Sequence, residues 1–165
     1  MDADRRKPRQ DNYKGNIKYN EKLEFKLLKT EPCWVYNYQQ YTKNATTGAP
    51  MHAENGFWKF FPPNEKGHMH VEASYSHSFS LNVFEKGKLG RDSETGMLSL
   101  LTVADKPHHF QRSTMTETAK ETGKKAAGCK RQYMIDEKKG KLMHQFSLKT
   151  EEDLYWNRHL RSVLG

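Results

Sequence analysis

Pro50-Met51-His52-Ala53-Glu54-Asn55-Gly56 runs into Phe57-Trp58-Lys59-Phe60-Phe61 and stops at Pro62-Pro63. Four aromatic residues in five positions suit a pleated, largely buried surface better than one face of a helix. The paired prolines cannot donate to a sheet ladder, so they end the segment. The stretch therefore reads as a turn followed by a strand, with a short polar lead-in. In an extended chain His52 and Glu54 point to one side, Met51 and Ala53 to the other. A strand with a polar rim accounts for the lead-in.

Outward from this stretch the period of two recurs. From Tyr19, Leu23, Phe25 and Leu27 alternate with Lys22, Glu24 and Lys26, the pattern of a half-buried strand. Glu31-Pro32 breaks that run, and Trp34, Tyr36 and Tyr38 then share one side of the next segment as a ring-lined wall. Residues 43–50 form a polar hairpin connection. Beyond Pro63, Met69, Val71, Ala73 and Tyr75 alternate, as do Phe79, Leu81 and Val83. Residues 85–91 and 92–96 read as punctuation, 97–104 as a more continuous apolar strand, and 108–115 as one more strand after the turn at Asp105-Lys106-Pro107. Residues 116–128 have no apolar face and read as an inserted polar loop, with a frayed helical turn over 117–125. Residues 130–136 and 141–148 pair around a turn at 137–140, and 155–164 closes the chain. Eight or nine short strands joined by Gly, Pro and Asn turns predict an all-β fold, an antiparallel up-and-down β-barrel with a lined interior.

At 165 residues the chain is one domain. Hydrophobic residues make up 35% and mean hydropathy is -1.02, but 12% aromatics supply a modest core rich in rings. Residues 1–12 read as a disordered basic tail. They contain no apolar run, so neither a secretory signal nor a membrane span is expected, and a cytoplasmic location follows, with a nuclear one left open by the basic arm. Cys33 and Cys129 lie far apart and read as free thiols. The net charge of +8 and pI near 9.4 invite a nucleic-acid partner. The excess sits in Arg5, Arg6, Lys7 and Arg9 and around Lys120, Lys124, Lys125, Lys130 and Arg131, which read as a loose arm and a solvated face, so nucleic acid is the weaker reading.

No Walker loop, dinucleotide fingerprint, nucleophile elbow or zinc cysteine cluster is present. His68-x-His70 and His108-His109 make a metal site conceivable, without a carboxylate or cysteine cluster at ligand spacing to complete it. His159 lies between Trp156 and Leu160 with Val163 and Leu164 beyond. One imidazole in an apolar cavity is what a haem iron needs; on spacing alone, a barrel-end histidine hydrogen-bonded to backbone is the better reading.

Pro50-Met51-His52-x-Glu54-x-Gly56-Phe57-Trp58-Lys59-Phe60, Lys106-Pro107-His108, Arg131-x-Tyr133-x-Ile135 with Gly140-Lys141-Leu142, and His159-Leu160 together resemble the nitrobindin family, in order over residues 13–165. The resemblance implies a ten-stranded antiparallel barrel, lipocalin- and fatty-acid-binding-protein-like, holding a ferric haem b. It implies nitric oxide binding and isomerisation of peroxynitrite to nitrate, with peroxynitrite isomerase as the candidate enzyme activity and a homodimer compatible with it. On the same ground His159 is the expected iron ligand, and Met51, His52 and Leu148 are cavity-wall positions. Family members usually begin with a Gly-x-Trp-x-Gly-x-Gly strand and a Tyr-Pro-Thr-like turn. Nothing before Tyr19 fits that motif, so the first strand is expected to be missing or rewritten, leaving a gap with unpaired edges. The alternative is a haem-free barrel that binds a lipid or another small hydrophobic molecule.

Overall fold

The computed structural model describes residues 17–78, 81–112, 126–150 and 157–164, the last of these by backbone alone. The expected basic tail at 1–12, the helical turn over 117–125 and most of the polar insertion lie outside the described residues; Ala126, Ala127 and Gly128 belong to a strand.

Ten strands form one antiparallel sheet: β1 (Tyr19–Lys29), β2 (Trp34–Asn44), β3 (Pro50–Phe60), β4 (Met69–His77), β5 (Leu81–Arg91), β6 (Leu98–Ala104), β7 (Phe110–Arg112), β8 (Ala126–Asp136), β9 (Lys141–Thr150) and β10 (Asn157–Leu164). They pair in sequence order from β1 to β10, except that the short β7 pairs with β5 and β6 pairs with β8. This is the up-and-down meander of a β-barrel. A short 3-10 turn, Pro107–His109, stands where the first part of an additional strand is expected. Among the described residues β1 pairs only with β2 and β10 only with β9, so the meander has two free edges. No helix among the described residues is long and apolar enough to cross a membrane.

The polar lead-in of the Pro50 stretch is itself strand: β3 runs unbroken from Pro50 to Phe60 and ends before the paired prolines. Its alternation puts Glu54, Gly56 and Trp58 inside and Asn55, Phe57 and Lys59 outside. Residues 85–91 also differ from expectation, because they continue β5 instead of breaking it. Gly87 is an approach point: a Cβ there would lie 1.8 Å from the Leu101 carbonyl oxygen. The turn falls one step later, at residues 92–96, where Gly96 takes a positive φ of 68°.

The interior is built on rings. Trp58, Tyr38, Tyr75 and Tyr133 are buried, with Trp58 edge-on to Tyr38 at 5.7 Å and to Tyr133 at 6.0 Å. The sheet curls fully enough for β8 side chains to meet residues of β2, β3 and β5 across the interior.

Candidate functional site

The strands define two ends. At one end lie the starts of β1, β3, β5, β8 and β10 and the finishes of β2, β4, β6 and β9; at the other lie the hairpin turns around Pro32, Gly67, Gly96 and Gly140. A buried polar layer crosses the barrel between them, centred on Arg131 of β8, whose side chain is 0% exposed. This overturns the sequence expectation that Arg131 belongs to a solvated charge run.

One guanidinium nitrogen of Arg131 donates to the Glu54 carboxylate at 2.9 and 3.1 Å. The other donates to the Tyr38 hydroxyl at 2.8 Å and to Gln40 Oε1 at 3.2 Å, and Nε faces Glu85 at 3.6 Å. Glu85 also accepts from the Tyr75 and Thr102 hydroxyls and from the Cys129 thiol. The guanidinium packs over the rings of Tyr75 (4.8 Å) and Phe146 (5.2 Å). A buried guanidinium is tolerable only when paired and hydrogen-bonded like this, and two carboxylates share it. Burial alone would raise the Glu54 carboxyl pKa; Arg131 and the bond to His52 outweigh it and hold the group well below the usual carboxylate range. On the other side of the layer Glu21 of β1 takes a hydrogen bond from Gln40 and faces His144 Nδ1 at 3.4 Å, while His144 stacks on Tyr133. Burial pushes the His144 pKa down against the pull of Glu21.

At the end of the barrel where β3 begins, His52 Nε2 lies 2.7 Å from Glu54 Oε1 and 3.2 Å from His77 Nδ1. His77 stands directly opposite Glu54 in the β3–β4 register. Its pKa is pushed down to about 4, by burial first and then by His52 and Arg131, with Glu54 opposing. His77 is therefore neutral near pH 7.

Three register irregularities cluster at this end. The β2–β3 pairing skips Met51, the β8–β9 pairing skips Ala127, and the β9–β10 pairing skips His159, between Arg158 opposite Ser147 and Leu160 opposite Phe146. Bulges bend a strand and re-aim side chains, and they concentrate at barrel rims and functional sites. Of the expected site residues, His52 is half-buried and faces inward, Leu148 packs against the core opposite Cys129, and Met51 is exposed at 46%. The backbone of His159 comes to the same end of the barrel as these three.

The opposite end holds an apolar cavity of about 590 Å³. Phe25, Trp34, Tyr36 and Phe60 form an aromatic wall, Leu98, Leu100, Ile135 and Leu142 face it, and Tyr133 closes it against the polar layer. No charged residue lines this cavity, and Met51, His52 and Leu148 are not part of it. Sequence reasoning found the Trp34-Tyr36 wall but not the layer above it. Glu54, Glu85 and Arg131 stand at inward positions of alternating strands, and that parity was the available signal.

An antiparallel meander curled around a lined interior defines the class, a β-barrel of the ligand-binding kind. The model of the family described as "THAP4-like, heme-binding beta-barrel domain" matches residues 9–165, and the chain belongs to that family, the nitrobindins. No curated protein matches by sequence. The fold is similar to that of the crystal structure of Rv2717c from M. tuberculosis, with a TM-score of 0.66 over 89% of this chain and 79% of that one, at 18% identity.

Proposed function

We propose that this chain binds haem b through His159 and, in the ferric state, binds nitric oxide and isomerises peroxynitrite to nitrate. Membership of a haem-binding family supports the cofactor. The observation that carries the site is the register break at His159, at the end of the barrel that also holds His52 and Leu148. The donor chemistry there fits the group: an inward imidazole at His52, the apolar Leu148 at the same end, and the one thiol of that end, Cys129, kept protonated by burial. When bound there, a ferric haem would supply Lewis-acid chemistry to its small-molecule ligand.

The chain's own residues have distinct parts in this reading. His159 would hold the iron through its imidazole. Glu54 fixes the ring orientation of His52 through its 2.7 Å contact, and its own charge is fixed by Arg131. Leu148 contributes an apolar wall that limits water, and Met51 stands at the exposed rim. No general base is required. A titration with ferric haem, read by absorbance in the parent and in His159→Ala, tests the proposal.

A second reading has its own observation, the apolar cavity at the other end. There the barrel takes a small neutral hydrophobic molecule, whether or not haem is present. The polar layer behind Tyr133 places two carboxylates, Glu54 and Glu85, around one guanidinium, which disfavours an anionic head group.

A further inference from the structure

We propose that His52, Glu54 and His77 form a binding site for one divalent transition-metal ion, of which zinc is the representative. Their three donor atoms form a compact triangle: His52 Nε2 to Glu54 Oε1 is 2.7 Å, His52 Nε2 to His77 Nδ1 is 3.2 Å, and His77 Nδ1 to Glu54 Oε1 is 3.5 Å. Zinc bonds to imidazole nitrogen and carboxylate oxygen are roughly 2.0–2.2 Å, so ligand atoms on one tetrahedral face sit about 3.3–3.5 Å apart. The triangle is close to that size. The His52–Glu54 edge, at 2.7 Å, must lengthen by roughly 0.6–0.8 Å to complete it, which a rotation of the half-buried His52 ring supplies.

The site is held by rigid elements. Glu54 and His77 are cross-strand partners, and His52 is two residues before Glu54 on the same face of β3. Glu54 is anchored from behind, because Oε2 accepts from Arg131 at 2.9 Å and lies 3.2 Å from the Tyr38 hydroxyl, while Oε1, which Arg131 also reaches at 3.1 Å, faces the two imidazoles. Arg131 does not cancel the carboxylate for the ion, since Glu85 on its other side shares the guanidinium charge. The His77 and Glu54 side chains are buried, whereas His52 is 27% exposed, so an ion held by these three ligands keeps a route to solvent. Two imidazoles and a carboxylate with an open position suit zinc, cobalt or ferrous iron and do not suit magnesium or calcium, which take all-oxygen sets. The site shares His52 with the proposed haem pocket but uses neither His159 nor the apolar cavity.

The test is a titration of chelator-stripped, haem-free protein with cobalt(II), read by visible ligand-field absorption, followed by displacement with zinc. It is run on the full chain, on His159→Ala, on the double variant His52→Gln with His77→Gln, and on His70→Gln, an exposed histidine that pairs with Glu72. The expected result is one equivalent of tightly bound cobalt in the parent, in His159→Ala and in His70→Gln, and at least a hundredfold weaker binding in the double variant. Zinc should also raise the melting temperature of the parent and leave that of the double variant unmoved, a readout that holds even if the variant is less stable. Absence of ligand-field absorption in the parent overturns the proposal. So does binding that survives in the double variant, or binding lost in His159→Ala, which would place the ion elsewhere.

Discussion

Arg131 on β8 meets Glu54 on β3 at 2.9 Å through the middle of the barrel, joining strands that are not neighbours in the sheet. Replacing Arg131 by Met leaves Glu54 and Glu85 buried without their cation. Breaking a buried pair from one side costs about 3–5 kcal/mol, so urea unfolding should show a loss of that order. Adding Glu54→Gln and Glu85→Gln to the same variant should recover more than half of it. A single variant as stable as the parent would show that the layer does not hold the barrel together.

Acid should destabilise the fold in two stages. The folded-state pKa of His77, about 4, lies below its ordinary 6.5, so the unfolded chain takes up the proton more readily. Its contribution is complete above pH 6.5 and is lost as pH falls through the window from 6.5 to 4. Glu54, also depressed, adds a further loss below its ordinary 4.5. Unfolding free energy measured from pH 8 to 4 should decline from about pH 6.5 downward. The decline above pH 5 should shrink in His77→Gln.

Two interior glycines should tolerate no side chain. A Cβ at Gly56 would lie 2.1 Å from the Ser74 carbonyl oxygen, and one at Gly87 1.8 Å from that of Leu101. In both cases backbone must move. Gly48 meets nothing within 4 Å, and its positive φ of 71° costs an alanine about 1 kcal/mol. Gly56→Ala and Gly87→Ala should each lose more stability than Gly48→Ala in the same denaturation assay.

The apolar cavity should take a neutral hydrophobe. The fluorescence of N-phenyl-1-naphthylamine is expected to rise on binding, and Leu142→Trp, which fills the cavity, should weaken binding at least tenfold. A neutral long-chain alcohol should displace the dye better than the fatty acid of equal length. The reverse order would mean that Arg131 is available to a carboxylate.

Much of the fold was legible because the barrel's alternation is written in residue type. Trp34, Tyr36 and Tyr38 on one side of β2, and His52 beside Glu54 on one face of β3, follow from the period of two alone. Gly87 and Gly90 read as a turn because sequence cannot separate a glycine needed for dihedral freedom from one needed for close approach. Arg131 read as surface because its four partners, two carboxylates, a hydroxyl and an amide, lie 46 to 93 residues away in the chain. His77 was invisible as a partner of His52 and Glu54 for the same reason: the β3–β4 register brings them together, and no local spacing announces it.

The measurement that bears most directly on the proposed function is the ferric haem titration of purified protein beside His159→Ala. A sharp Soret band that saturates at one haem per chain in the parent, and is lost or shifted in the variant, is the predicted result, with peroxynitrite decay as the next assay. A parent that gives no specific band, or a variant whose band matches the parent's, would contradict it.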